Sequence, residues 1–151
     1  MAMPKLNFDP PAGFLEEEMT ITWRTPRKPP IKEARTMQAQ LAIRPNLIVN
    51  RRRVNAEAGL AELAGETVAK LFESIPGVSG VDTNEIQFKD GAAGVLLEFS
   101  FPASGYTVVQ MHAMRIDDGV LTTMALSTEK SRCTPEEQLR LKNCLASAAR
   151  A

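Results

Sequence analysis

The sequence is poor in the residues from which most catalytic and metal sites are built. Its 151 residues include one histidine, His112, and two cysteines, Cys133 and Cys144. Neither cysteine has a CxxC partner or a nearby histidine, so we expect no metal and no disulfide between them. A G-x-S-x-G motif and a glycine-rich phosphate-binding or dinucleotide motif are also missing, and nothing orients His112 as a base. These absences predict a protein that is not an enzyme and that carries no cofactor.

The sequence also lacks an excess of charge of one sign and a long hydrophobic run. Its 18 basic and 18 acidic residues cancel, so no strong field attracts nucleic acid or an anionic membrane. The short basic run Arg51–Arg53 is typical of a solvated strand end. No stretch approaches the roughly 18 apolar residues of a membrane span, and the N-terminus lacks the apolar part of a signal peptide. We therefore expect a cytoplasmic protein that neither binds nucleic acid nor inserts into a membrane.

The composition that remains is typical of a globular chain, with 44% hydrophobic and 24% charged residues. At this length it is interpreted as a single domain spanning residues 1–151. Two helices are indicated. Asn55 is a candidate N-cap for the first, which Pro76-Gly77 ends, and Thr134 with Pro135 begins the second in a capping-box pattern.

Strands account for most of the remaining sequence. Alternating apolar residues separated by turn signals precede the first helix, and four further strands lie between the two helices. Asp90-Gly91 and Asp117–Gly119 are the clearest hairpin turns. Because strands and helices are segregated rather than alternating, the sequence predicts an α+β fold: an antiparallel sheet with two main helices packed on it. The strand-like stretches are EMTITWR, QAQLAIR, NLIVNRR, NEIQFKDG, AGVLLEFSF, YTVVQMHAMRI and VLTTMALST.

One predicted strand places two polar side chains in the middle of an apolar face. Along YTVVQMHAMRI, Gln110 and His112 share a face with Tyr106 and other alternate residues. A buried amide without a hydrogen-bond partner costs on the order of 1–3 kcal/mol. Gln110 therefore needs a partner, and the residues alone leave open whether this is a neighbouring side chain, water or a bound ligand.

The order of several short motifs resembles the DcrB-related family of small bacterial proteins and, within it, the Eag chaperones of type VI secretion. The resemblance extends from Leu6 to Arg150 and implies a curved antiparallel sheet flanked by two main helices, similar to the Mog1/PsbP group. The motifs that carry it are the F-x-P-P-x-G-F turn, MTIT, LIVNR before a helix that ends in SIPG, DGAAGVLLEF, YTVVQMHAM and the capped final helix.

The resemblance also implies a function. Eag-type chaperones act as cytosolic homodimers that hold the N-terminal transmembrane helices of a secreted effector until it is loaded on the secretion spike. A Mog1-like module that binds another protein or a small ligand is the alternative function. The groove residues implied by the resemblance are Met19, Asn46, Ile48, Asn50, Thr67, Leu71, Ile75, Tyr106 and Gln110.

Several of these groove positions have a second interpretation. Leu71 and Ile75 lie in a helical pattern that core packing explains equally well. Asn46 and Asn50 are also compatible with solvated positions at a turn and a strand end. The two faces of YTVVQMHAMRI are too similar for the sequence to indicate which one forms a groove.

Overall fold

The computed structural model describes residues 6–7, 15–17, 22–24, 45–55, 57–103 and 105–150, and before residue 45 it describes the backbone alone. These residues form nine strands, two α-helices and a short 3₁₀ helix. In chain order they are β1 (Leu6–Asn7), β2 (Leu15–Glu17), β3 (Thr22–Arg24), β4 (Asn46–Arg53), α1 (Leu60–Ser74), β5 (Ser79–Gln87), β6 (Ala93–Ala103), β7 (Tyr106–Asp117), β8 (Val120–Glu129), the 3₁₀ helix Lys130–Arg132, α2 (Pro135–Ala146) and β9 (Ala149–Arg150).

Seven of the strands form one antiparallel sheet in the order β2-β3-β4-β8-β7-β6-β5. Strands β5 to β8 are an antiparallel meander, as the four successive strand patterns predicted, and β8 then pairs with β4. Strands β1 and β9 form a separate antiparallel pair. The predicted α+β fold, an antiparallel sheet with two main helices, is confirmed.

The tight turns of the meander lie where the sequence predicts them. In the β5–β6 hairpin, the backbone N–H of Phe88 donates to the carbonyl of Ala92 at 2.8 Å, and Gly91 has a φ of 88°. Between β7 and β8, Asp118 and Gly119 have φ values of 49° and 73°. Positive φ at both central residues is the pattern of a type I′ turn, which matches the twist of the two strands it joins.

The start of the first helix differs from the prediction. Helix α1 begins at Leu60 with Gly59 as its N-cap, and no side chain caps it. Asn55 instead closes a local turn, because its Oδ1 atom accepts a hydrogen bond from the Glu57 N–H at 3.2 Å. Asparagine commonly bonds its own backbone two residues on, and here that local bond replaces helix capping. The helix ends before Pro76, as predicted.

The second helix begins as predicted, but its capping box is only half formed. Helix α2 starts with Pro135, and the Thr134 hydroxyl accepts a hydrogen bond from the Glu137 N–H at 3.1 Å. The Glu137 carboxylate does not return to the cap. It pairs with the Arg140 guanidinium, with bonds of 2.6 and 2.9 Å. An i,i+3 ion pair on the helix surface therefore competes successfully for this carboxylate.

The two helices cover opposite faces of the sheet. Leu141 and Leu145 of α2 pack in one core cluster with Met111 of β7. Leu63 of α1 packs in a second cluster with Met114 of the same strand. Odd-numbered and even-numbered residues of a strand point to opposite faces. This explains why both faces of β7 are apolar in the sequence.

A buried arginine ties the C-terminus to the sheet. Arg115 of β7 is 1% exposed, and its guanidinium makes paired contacts of 2.8–3.0 Å with Asp90 and Asp117. It also donates to the Ala148 carbonyl at 3.1 Å and lies 4.9 Å from the centre of the Phe88 ring. The guanidinium has five N–H donors in a fixed plane, so it can donate two parallel hydrogen bonds to each of the two carboxylates.

Gly94 of β6 is expected to be intolerant of a side chain. A Cβ atom at this position would overlap the buried Phe88 ring and lie 2.8 Å from the Met114 carbonyl oxygen. Crowding in a packed core costs about 1–3 kcal/mol, so Gly94→Ala should lower the free energy of unfolding by that amount. Urea denaturation will measure it. Gly65→Ala is the matched control, because the space around Gly65 is open and alanine favours the helix interior; an equal effect of both changes would contradict the steric explanation.

Candidate binding face

Strand register places several of the predicted groove residues on one face of the sheet. They are Gln110, Asn46, Ile48 and Asn50. Directly opposite residues of antiparallel strands share a face. Gln110 lies opposite Phe99 of β6 and Ser127 of β8, and Ser127 lies opposite Asn46 of β4. We call the row formed by Phe99, Gln110, Ser127 and Asn46 the polar row. The next row is Leu97, His112, Ala125 and Ile48, and the third is Val95, Met114, Thr123 and Asn50; the three rows together are the binding face.

Helix α1 packs on the same side of the sheet, at one end of the binding face. Leu63 and Ala64 belong to one buried cluster with Val95, Leu97 and Met114, which are residues of the second and third rows. The polar row is not part of that cluster. Gln110, Ala125 and Ile48 are half-buried and Asn50 is exposed. Part of the binding face thus keeps surface that solvent or a ligand can reach.

Three side chains of the binding face form a continuous hydrogen-bonded chain. His112 Nε2 lies 3.0 Å from Gln110 Oε1, and Gln110 Nε2 donates to Ser127 Oγ at 3.0 Å. Gln110 therefore has partners inside the fold, which was one of the alternatives left open by the sequence. Hydrogen bonding of both ends of the amide offsets the cost of placing it in an apolar face.

The surroundings of His112 are apolar and favour its neutral form. Leu97 and Ala125 lie opposite it on the neighbouring strands, and the Phe99 ring packs edge-on at 5.1 Å between ring centres. Burial lowers the pKa of His112 to about 4, because removing water penalises the charged imidazolium. Its Nδ1 atom is buried and has no hydrogen-bond partner among the residues that the structure describes.

Tyr106 lies on the same side of the sheet as Gln110, four residues along β7. It is half-buried at the end of the strand, opposite Ala103 of β6. Its surroundings are more polar than the second row, because it lines a surface depression with Thr107, Glu129 and Lys130. Tyr106 and Gln110 thus belong to one face, as alternation predicts, but Tyr106 lies at its rim.

The three groove residues predicted on the first helix have different environments. Leu71 is buried, whereas Thr67 and Ile75 are half-buried. The Thr67 hydroxyl donates to the Leu63 carbonyl at 2.9 Å, so it is satisfied within α1. Ile75 is the C-cap residue, and its N–H bonds to the Leu71 carbonyl. Met19, the remaining predicted position, lies outside the described residues.

Ser127 and Phe99 are members of the polar row that sequence reasoning did not identify. Each lies on a strand with an ordinary alternating pattern, and nothing near it in sequence connects it with Gln110. Their only signal is the strand register, which fixes Gln110 opposite both residues. Register depends on the turns and on the packing of whole strands, so it does not follow from one stretch of sequence.

The described residues contain no group of three or more histidine, cysteine or acidic side chains that could hold a metal ion. Among the helices in that part of the chain, none combines the length and the apolar character needed to cross a bilayer. Cys133 and Cys144 are both reduced, and Cys144 is buried. Burial raises the pKa of the Cys133 thiol, which makes it a weaker nucleophile at neutral pH than an exposed cysteine.

Comparison with known proteins supports the fold. No curated protein matches the chain. Among solved structures, cyanobacterial PsbP from Synechocystis is 16% identical with a TM-score of 0.63, covering 95% of this chain and 85% of that one. The Saccharomyces cerevisiae Ran-binding protein Mog1p is 16% identical with a TM-score of 0.54, covering 91% and 77%. These likenesses confirm the predicted Mog1/PsbP-like fold.

A third structure with this fold is PA94 from Pseudomonas aeruginosa, described as a protein of unknown function and putative regulator. It is 15% identical with a TM-score of 0.56, and the match covers 93% of this chain and 90% of that chain. The family assignment comes from the sequence itself. The family model for DcrB matches residues 35–147, well over half of the chain. The chain therefore belongs to the DcrB family.

Proposed function

We propose that the protein is a non-enzymatic cytosolic chaperone that binds the N-terminal transmembrane helices of a type VI secretion effector before the effector is loaded on the spike. The observation that supports this proposal best is the polar row, in which Gln110 and Ser127 are hydrogen-bonded within a largely apolar sheet face beside α1. The resemblance of the sequence motifs to Eag chaperones supplies the class of partner. It also supports a homodimer as the active form.

The physical case begins with the apolar surface of the cargo. A transmembrane helix in water exposes a long apolar surface, and covering it gains about 25 cal/mol per Å². Ile48 and Ala125 offer half-buried apolar surface beside the polar row. A second apolar surface laid over these residues would remove both from water. Such contacts would supply most of the affinity.

The polar side chains would supply orientation rather than affinity. Transmembrane helices pack through small residues and through hydrogen bonds to backbone or small polar groups. Gln110 and Ser127 in the polar row, with Asn50 exposed two rows away, place such hydrogen-bonding groups among the apolar contacts. A few polar groups of this kind fix the register of a ligand in an apolar site.

The proposal predicts that Gln110→Ala and Tyr106→Ala weaken capture of the cargo. The chaperone would be co-expressed with the hydrophobic N-terminal segment of an effector encoded beside it, and the co-purified segment would be quantified. We expect a loss of about three- to tenfold for Gln110→Ala, the effect of one or two lost hydrogen bonds. A smaller loss is expected for Tyr106→Ala at the rim.

Gln87→Ala is the matched control, because Gln87 is an exposed glutamine at the end of the edge strand β5. Circular dichroism will establish that each variant is folded, since Gln110→Ala also removes partners from His112 and Ser127. Capture that is equal in the wild type and all three variants, or a segment that stays insoluble, would contradict the proposed function.

The alternative is a module that binds a folded protein. It is favoured by the likeness to Mog1p, which is a Ran-binding protein and shares the fold over 91% of this chain. The same co-expression separates the two functions. A chaperone must keep the hydrophobic segment in solution, whereas a module for folded partners would not bind it.

A further inference from the structure

We propose that His112 is a positioning residue: it fixes the amide orientation of Gln110, so that the polar row presents hydrogen-bond donors to its ligand. The binding face would then select apolar helices that expose a hydrogen-bond acceptor, either a backbone carbonyl beside a small residue or a hydroxyl oxygen. This inference rests on the proposed function and names the feature of the cargo that would be recognised.

The first step is the direction of the His112–Gln110 bond. Oε1 of Gln110 is a carbonyl oxygen and only accepts hydrogen bonds. At 3.0 Å from it, His112 Nε2 must therefore carry the proton. In a neutral imidazole this leaves Nδ1 as an unprotonated acceptor. Within the described part of the chain the buried Nδ1 has no partner, which fits that tautomer, because an unpaired buried lone pair is tolerated better than an unpaired buried N–H.

The second step is the direction of the bonds at the other end of the amide. Since its oxygen is held by His112, the Gln110 nitrogen faces Ser127 and donates one hydrogen to Oγ at 3.0 Å. The second hydrogen of the Gln110 amide and the hydroxyl hydrogen of Ser127 remain as donors. The acceptor left at the opposite end, Nδ1, is buried. The groups that the hydrogen-bonded side chains can offer a ligand are therefore the donor hydrogens of Gln110 and Ser127.

The third step is the chemistry of the ligand. In a transmembrane helix each backbone carbonyl already accepts one bond, but it has a second lone pair that a small neighbouring side chain leaves accessible. A serine or threonine hydroxyl in a helix donates to a carbonyl one turn earlier and keeps its own lone pairs free. A helix of large aliphatic residues covers its carbonyls and offers no such acceptor.

The tautomer can be measured without a ligand, because His112 is the only histidine of the chain. Labelling with ¹⁵N- and ¹³C-histidine gives one set of imidazole signals, whose chemical shifts identify the protonated nitrogen. We expect a neutral ring protonated at Nε2 at pH 7. A neutral ring protonated at Nδ1 would overturn the proposed orientation of the Gln110 amide, whatever the protein binds, because its bare Nε2 could not donate to Oε1.

Selectivity would be measured with two synthetic helices that differ in one atom group. Each has about 20 large aliphatic residues, leucine and isoleucine, flanked by lysines, with threonine or valine at the centre. Threonine and valine have the same shape, but only threonine carries a side-chain acceptor. We expect the wild type to bind the threonine peptide about two- to tenfold more tightly, the effect of one hydrogen bond.

Two variants of the histidine distinguish positioning from mere structural support. In His112→Gln the new amide nitrogen can take the place of Nε2 and donate to Gln110, so the preference for threonine should be retained. In His112→Asn the shorter amide reaches only the place of Nδ1, so the preference should be lost while the valine peptide still binds. A preference unchanged in His112→Asn, or absent from the wild type, would overturn the inference. Failure of the wild type to bind either peptide would instead count against the proposed function.

Discussion

Replacing Arg115 with methionine is expected to lower the free energy of unfolding by about 3–5 kcal/mol, the usual cost of removing one partner of a buried ion pair. The Arg115 side chain is 2% exposed, and the carboxylates of Asp90 and Asp117 that face it are 22% and 9% exposed. Without the guanidinium, the Asp117 carboxylate would remain largely buried and lose its ion-pair partner, whereas Asp90 would keep the hydrogen bonds that it accepts from two backbone N–H groups. The hydrogen bond to the Ala148 carbonyl would be lost as well.

Urea denaturation of matched variants will measure this cost. Arg115→Lys keeps the charge but lacks the planar fork that serves two carboxylates, so an intermediate loss is expected. Arg140→Met is the surface control, because the Arg140–Glu137 pair on α2 is 46% and 29% exposed and should contribute less than about 1 kcal/mol. A loss for Arg115→Met no larger than the loss for Arg140→Met would show that the buried network contributes little to stability.

The importance of Arg115 could not have been read from its own strand. In the alternating pattern of β7 it is one polar residue near a turn, where an exposed side chain is the common outcome. Its partner Asp90 lies 25 residues earlier in another hairpin, and Ala148 lies 33 residues later. The network exists because β7, the β5–β6 turn and the end of α2 meet in space. Such contacts over long sequence separations carry no local signal.

Elements with strong local signals were predicted well. The meander strands follow from alternation and from Gly-containing turns, and the α2 start follows from Thr134 and Pro135. The α1 start was wrong because the local sequence offered Asn55, a good cap by type, which bonds its own turn instead. Residue type thus predicted where a helix exists better than where it begins.

The candidate site shows the same division between local and long-range information. That Gln110 and His112 share a face follows from a separation of two residues, and the structure places them 3.0 Å apart. That Ser127 completes the chain depends on the pairing of β7 with β8. Which face of β7 lies beside α1 depends on the packing of both helices, since each face has its own apolar cluster.

Acidification is expected to destabilise the protein by way of His112, on the order of 3 kcal/mol between pH 7 and pH 4. The pKa of this imidazole is lowered by burial from 6.5 to about 4. Between these two values the unfolded chain binds a proton that the folded protein does not, so the free energy of unfolding falls as pH falls. One unit of pKa corresponds to about 1.4 kcal/mol, which sets the size of the effect. The slope vanishes only well above pH 6.5, where the histidine of the unfolded chain is neutral as well.

His112→Gln is the reference for this measurement, because it keeps a donor toward Gln110 but does not titrate. Urea unfolding of both proteins at pH 7, 5.5 and 4.5 gives the difference in free energy of unfolding that is due to the histidine, because the contributions of the carboxylates cancel.

Asp90 contributes to stability over a different pH range. The Arg115 guanidinium, with the Arg150 N–H, holds the pKa of Asp90 well below its ordinary 3.8, so the stabilisation by Asp90 is lost only in stronger acid. If the free energies of unfolding of the wild type and His112→Gln differ by the same amount at all three pH values, His112 is hydrated and free to take a proton. The Nε2–H bond to Gln110 would survive that protonation, because an imidazolium keeps the hydrogen on Nε2 and gains one on Nδ1.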